Sequence, residues 1–380
     1  MTIEQQEEEL LERLSAPDRV ELTEGGSPAR LVHSPSTGTV LKLLVDLPGA
    51  VDGHDLGSFR TKIDQITKVR HEVPELRSVY TDLSEQFHGE NWSAYTMPFY
   101  SGRDVAASLR EGRPGFWEDL RAVVRDLTVP GYLRAHVPAP PGHIADVHAD
   151  RLIRRFWLLR SHLPERLVGA EKVTVNGRIC RNPLDLARTL PQLSARIDPV
   201  RLHYPVHGDL NTRNILISGT GHRILDPRGT LDWWDPAYDL SKILFSLTVW
   251  DAGLRRGFRI EDSDGQWRVS VRGGTYPGYR EAARELLPRL RTVEGFDGLE
   301  DPGWESRYLL GHAFHLLAEA ACRLSDIKKR TSEQGEEALS PVELATGHYL
   351  YGALFLEDAV AQLEGRGRID HDATLALLDA

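Results

Sequence analysis

His207-Gly208-Asp209-Leu210-Asn211-Thr212-Arg213-Asn214 runs straight into the apolar triplet Ile215-Leu216-Ile217, and a second apolar pair, Ile224-Leu225, leads into Asp226-Pro227-Arg228-Gly229. No other feature constrains the fold as much. Two short strands must hold Asn214 and Asp226 at adjacent ends while a loop presents Asp209 beside them. The three polar groups stand at intervals of five and twelve residues. An exposed loop carboxylate can accept the proton of an attacking hydroxyl. An amide and a carboxylate at neighbouring strand ends offer hard oxygen ligands to Mg²⁺, which neutralises charge on a nucleotide triphosphate. His-x-Asp alone would mark a turn or a helix cap; the Asn at the right offset, the strand and the Asp226 turn together point to phosphoryl transfer. Asp209, His207 and Arg228 are the expected catalytic residues, and Asn214 and Asp226 the expected metal ligands.

The 380 residues are 41% hydrophobic, enough for one large or two modest cores. Acidic residues outnumber basic ones by 56 to 46, and the net charge of -10 argues against general affinity for nucleic acid or anionic membranes. Cys180 and Cys322 lack metal-ligand spacing and are too few for a disulfide framework, which fits reduced thiols in a cytosol. The acidic, helix-prone start at 1–14 does not read as a signal peptide, and no apolar run approaches the ~20 residues that span a bilayer. A cytoplasmic protein is the expectation.

Short β-type runs at 20–23, 29–33 and 39–44 are separated by Gly- and Pro-rich turns, and a helix is expected over 58–70. Strands near 78–87 and 92–99 follow, and the latter ends at Tyr100-Ser101-Gly102. Residues 18–100 thus read as a small antiparallel-sheet lobe, with 1–17 a helical extension before it. From 101 to 380 helical spacing dominates, at 116–127, 144–163, 184–197, 237–249, 279–290, 306–325 and 341–363. Asn176-Gly177 suits a type I′ turn in a hairpin over 172–180, and Asp264-Gly265 marks a second hairpin over 258–271. The fold class is α+β: a small sheet lobe and a larger, mainly helical one.

At these residues the sequence resembles the aminoglycoside phosphotransferase-like branch of the protein-kinase-like superfamily. Asp235-Pro236-Ala237-Tyr238-Asp239-Leu240-Ser241-Lys242 is similar to the Asp-Pro-x-x-Asp-Leu segment that follows the metal aspartate there. The resemblance implies that Asp239 braces the catalytic loop and that the small lobe carries the nucleotide. Gly25, Gly26 and Ser27 would approach its phosphates, Lys42 on the third strand would grip them, and Met97 and Phe99 would form an adenine- or guanine-reading hinge. Asp64 is the first choice of helical partner for Lys42, with Glu72 second. Mg²⁺ and ATP or GTP are the implied cofactors.

Asp226 reaches Asp235 in nine residues and no Ala-Pro-Glu follows, which leaves little room for the peptide platform of a protein kinase. The expected acceptor is a small-molecule hydroxyl compound: a sugar, aminosugar or natural-product alcohol. Trp233 and Trp234 read as core residues or stacking surfaces, and His312 and His315 as packed or surface residues of one helix. A catalytically silent nucleotide-binding protein acting through partners, or a nucleotidyl-transferring enzyme, are the alternatives that the residues leave open.

Overall fold

The computed structural model describes residues 2–22, 28–46, 50–51, 53–326, 330–333 and 338–379. In the small lobe, α1 (Ile3–Leu14) starts at a capping box between Thr2 and Gln5. It is followed by β1 (Val20–Glu21), β2 (Arg30–Ser34), β3 (Thr39–Val45), α2 (Leu56–Glu72), β4 (Glu85–His88) and β5 (Trp92–Pro98). The strands form one antiparallel sheet in the order β1-β2-β3-β5-β4. The strand expected from 78 starts late because Pro74 opens a 3₁₀ turn, and Tyr80 pairs in parallel with Ile224 of the large lobe.

Alternation along β3 divides this lobe into two packed faces. Leu41, Leu43 and Val45 bury against Leu10 and Leu11 of α1. Val40 and Leu44 bury against Phe59 and Ile63 of α2. Lys42 shares the parity of the second pair, so the pleat that builds the core also aims its ammonium at α2 and the cleft beside it.

The large lobe comprises β6 (Arg103–Asp104), α3 (Phe116–Thr128), α4 (Asp150–His162), β7 (Lys172–Val175), β8 (Arg178–Arg181), α5 (Pro183–Ser194), β9 (Ile215–Ser218), β10 (Gly221–Ile224), α6 (Ala237–Phe245), β11 (Phe258–Ser263), β12 (Gln266–Val271), α7 (Pro277–Leu290), α8 (Trp304–Ser325) and α9 (Pro341–Arg366), with shorter turns between them. Its core is built on α8, which packs against α9, α6 and α4. His312 and His315 are packed there and bond the hydroxyls of Thr248 and Ser241 at 2.7 and 2.8 Å. Both expected hairpins form, and they join: β7 pairs in parallel with β12, giving a four-stranded sheet. Asn176 and Gly177 take positive φ, as the turn requires, and the Asn176 side chain bonds the Val269 N–H and carbonyl across the junction. Among the described residues no helix is long and apolar enough to cross a membrane.

Candidate active site

The catalytic segment is positioned by the short hairpin of β9 and β10. Ile215 faces Ile224 in register, and the Leu225 N–H bonds the Asn214 carbonyl at 2.8 Å, which sets Asn214 and Asp226 side by side. Asn211 caps the 3₁₀ turn that delivers Asn214, accepting the N–H groups of Arg213 and Asn214. The Asn214 amide then donates to the Asp209 carbonyl at 2.8 Å and approaches the Asp209 carboxylate at 3.3 Å. Asp209, Asn214 and Asp226 all line one cleft of about 450 Å³ between the lobes.

Gly208 lies at φ +78, and a Cβ there would meet Arg228 and Thr230 at 2.7 Å, so the loop and the Asp226 turn interlock only because this residue is glycine. Beneath them, Asp239 in the first turn of α6 accepts the N–H groups of His207 at 2.7 Å and Gly208 at 2.6 Å and the Tyr132 hydroxyl at 2.8 Å. Burial pushes its carboxyl up to about 6, against the lowering effect of those three hydrogen bonds.

His207 departs from its expected catalytic role. Its ring is wholly buried, and Nε2 lies 3.0 Å from the Leu225 carbonyl while Nδ1 receives the Asp209 N–H at 3.3 Å. Burial lowers its pKa to about 4 and keeps it neutral. It ties the loop to the strand end and does not line the cleft.

On the small-lobe side, Lys42 reaches Asp226 at 2.7 Å, and a second ammonium, Lys62 of α2, reaches the same oxygen at 3.1 Å. Burial alone would raise the Asp226 carboxyl; the two lysines overcome that and hold it well below the usual carboxylate range. The expected acidic partners of Lys42 are not there. Phe59, Ile63, Ile66 and Val69 set the buried stripe of α2, which turns Asp64 out to solvent, and Glu72 is exposed beside Tyr204. The same stripe buries two polar side chains, Lys62 and Gln65. Gln65 donates to the Val206 carbonyl at 2.8 Å and accepts the N–H groups of Gly229 and Thr230 at 2.7 Å each. One turn on, Lys68 reaches the Leu231 carbonyl at 2.7 Å. Gly229 permits this approach, since a Cβ there would meet Thr61 at 3.1 Å. Polar residues at apolar-stripe positions were the signal that would have found Lys62 and Gln65.

Of the expected hinge, Met97 lines the cleft. Phe99 does not: its N–H is taken by the Gly38 carbonyl at 2.8 Å and its ring stacks on His33 at 3.9 Å. Gly25, Gly26 and Ser27 lie outside the described residues.

On the large-lobe side, Lys242 of α6 bonds Asp209 at 3.0 Å. Burial would raise the Asp209 carboxyl, but Lys242 and Lys62 lower it, so Asp209 is ionised at neutral pH. Arg228 lines the cleft and donates to the Tyr238 hydroxyl at 2.9 Å, and Arg151 of α4 donates to the same oxygen at 2.8 Å. Trp234 stacks on Tyr238 with ring centroids 4.9 Å apart, and Arg228 lies over both rings. Trp233 packs edge-on against Tyr204. Lys242, although it closes the Asp235–Lys242 segment, and Arg151 have no role legible in the sequence, because nothing local marks a helical cation that a distant loop will meet.

The model of the phosphotransferase enzyme family, APH, matches residues 65–282, which hold every one of these large-lobe groups. The chain is similar in fold to aminoglycoside phosphotransferase APH(4)-Ia in its ternary complex with AMP-PNP and hygromycin B. The TM-score is 0.54 at 13% identity, over 94% of this chain and 98% of that one. Aminoglycoside phosphotransferase APH(3'')-Id from Streptomyces rimosus aligns at 16% identity with a TM-score of 0.46, over 84% of this chain and 99% of that one. No curated protein matches the sequence. The two-lobed α+β architecture and a family match over more than half of the chain lead to one conclusion: the protein belongs to the APH phosphotransferase family, the aminoglycoside phosphotransferase-like small-molecule kinases.

Proposed function

We propose that the protein transfers the γ-phosphate of ATP or GTP to a hydroxyl of a small molecule of the sugar or natural-product alcohol type. The observation that carries this reading is the convergence of Asp209, Asn214 and Asp226 on one cleft, with the Asn214 amide bonded to the Asp209 carbonyl at 2.8 Å. APH(4)-Ia, with the same fold, carries AMP-PNP and hygromycin B, which supports a nucleotide donor and a small-molecule acceptor.

Asp209, ionised and beside Lys242, orients the acceptor hydroxyl and takes its proton during in-line attack. Asn214 and Asp226 fit Mg²⁺: they are oxygen-bearing groups set side by side at adjacent strand ends. Held between them, Mg²⁺ would neutralise charge on the nucleotide phosphates. Lys42 and Lys62, both on Asp226 here, line the cleft and would bind the nucleotide phosphates. Gln65 and Asp239 fix the loops, so the loss of entropy on binding is reduced before substrate arrives.

The test is incubation with MgATP or MgGTP and a pooled library of hydroxyl compounds, with Asp209→Asn in parallel. A mass gain of one phosphate that depends on Asp209 is the expected outcome. A gain of one nucleotide, or a product that Asp209→Asn forms equally well, would overturn the assignment.

A further inference from the structure

We propose that Asp251, a buried carboxylate outside the cleft lining, is a positioning residue for the catalytic loop: acting through Arg213, it sets where Asn214 stands and so how the cleft would hold a divalent cation. This rests on the phosphotransferase reading above and deepens it, since it ties a residue beyond the 207–242 motif to the same site.

Asp251 opens the short helix Asp251–Arg256, and its side chain is wholly buried. Among the described residues it meets three guanidinium groups and a phenol. Arg213 Nε donates to one carboxylate oxygen at 2.6 Å. Arg255 Nε at 3.0 Å, Arg110 Nη1 at 3.2 Å and the Tyr279 hydroxyl at 2.5 Å donate to the other. Burial alone would raise this carboxyl; Arg213, Arg255 and Arg110 hold it well below the usual carboxylate range. Desolvation offsets much of what buried ion pairs gain, so such a cluster is a weak source of stability. What it does supply is geometry, because each charged hydrogen bond fixes one partner in one direction.

Two routes lead from this carboxylate to Asn214. On the near side, Arg213 is the residue before Asn214 in the 3₁₀ turn that Asn211 caps, and its guanidinium lies over the Trp250 ring at 5.3 Å while its Nε holds Asp251. On the far side, Arg110 links Asp251 to Asp104 of β6, to which its Nη1 donates at 2.9 Å. Asp104 faces Leu216 of β9 in register, and the Val105 N–H bonds the Ile215 carbonyl at 2.9 Å. The residue before Asn214 and the strand after it therefore trace to a single carboxylate. A further hold comes from the turn between α6 and Asp251, where the Ser246 hydroxyl accepts the Thr212 N–H at 3.1 Å. Asp239 grips the start of the catalytic loop at His207 and Gly208; Asp251 grips its end.

The test uses the full chain and Mn²⁺ as the probe ion, followed by electron paramagnetic resonance titration of the AMP-PNP-saturated protein, with metal-free AMP-PNP binding measured by calorimetry. Arg213→Gln should weaken Mn²⁺ about tenfold, the scale on which groups that orient metal ligands act, and move metal-free AMP-PNP binding less than about threefold. Arg213→Lys, which keeps a cation for Asp251, should recover part of the Mn²⁺ affinity. Asp251→Asn should match Arg213→Gln, and the double variant should lose no more than either, because the two residues act as one unit. Should Asp251→Asn not fold, the contrast between Arg213→Gln and Arg213→Lys decides. Unchanged Mn²⁺ affinity in Arg213→Gln, equal weakening of Mn²⁺ and metal-free AMP-PNP, or additive losses in the double variant each overturn this assignment alone. A parent protein that takes up no Mn²⁺ with AMP-PNP overturns it together with the phosphotransferase reading.

Discussion

The floor of the cleft and the brace beneath it each depend on one aspartate, and the two are treated oppositely. Asp226 meets two ammonium groups, and its carboxyl is held well below the usual range. Asp239 meets two backbone N–H groups and a phenol, and burial pushes it up to about 6. The difference is one of task. Full charges can be exchanged for a metal ion or a phosphate, and Asp226 keeps its negative charge on the cleft floor, as the proposed metal ligand would. Neutral donors fixed in place cannot be exchanged, so Asp239 shapes the backbone beneath the cleft.

The sharpest way to break the comparison is to neutralise each aspartate in turn. Asp226→Asn keeps the shape but loses the charge, and steady-state assays of nucleoside diphosphate release should show a loss on the order of 10³-fold in turnover. Near-normal turnover would remove Asp226 from the proposed metal site. Asp239→Asn should act first on the fold: an amide cannot accept from both N–H groups and Tyr132 as the carboxylate does, and one buried donor is left without its partner. Denaturant unfolding should register a loss of about 2–3 kcal/mol. A variant as stable as the parent, with only its rate reduced, would move Asp239 into the reacting group.

Gln65→Ala tests the latch between the two regions. It strands the Gly229 and Thr230 N–H groups where α2 meets the Asp226 turn, and a loss of about 1–2 kcal/mol is expected by the same measurement. Turnover should fall more than nucleotide affinity, because the latch holds the loop that carries the proposed metal ligand. Equal loss of both would make Gln65 a general packing residue.

The smallest effect is in pH. A carboxyl raised from 3.8 to about 6 on folding contributes stability that is fully present below 3.8 and lost as pH rises through about 6. The stability difference between the parent and Asp239→Asn should therefore be roughly 1 kcal/mol larger at pH 5 than at pH 7. Asp226, lowered on folding, contributes stability that is present above 3.8 and lost only in stronger acid. The cost of Asp226→Asn should not change between pH 5 and pH 7. Matching pH dependence in the two variants would erase the distinction.

The motif between 207 and 242 was legible in the sequence because its spacing encodes strand ends, and strand ends place side chains. Asn176-Gly177 was legible because its turn needs residues tolerant of positive φ. The partner of Lys42 was not, because seeking an acidic residue near mid-helix ignored the face: Ile63 and Ile66 bury one side of α2 and turn Asp64 away. Phe99, expected in the base-reading hinge, instead gives its N–H to the Gly38 carbonyl, a contact between strands that leaves no local pattern. The joining of two hairpins into one sheet, and the meeting of Arg151 with Arg228, depend on contacts between distant segments that leave no local pattern.

The three polar grips of α2 on the large lobe have a consequence for how the chain divides. Lys62, Gln65 and Lys68 close Asp226, the Gly229 turn and the Leu231 carbonyl in succession, although the helix belongs by sequence to the small lobe. A cut at the Gly102 connector would not yield two independent modules. Each fragment would carry half of the same seam, and the two would recover a working cleft only by reassociating as a complementing pair.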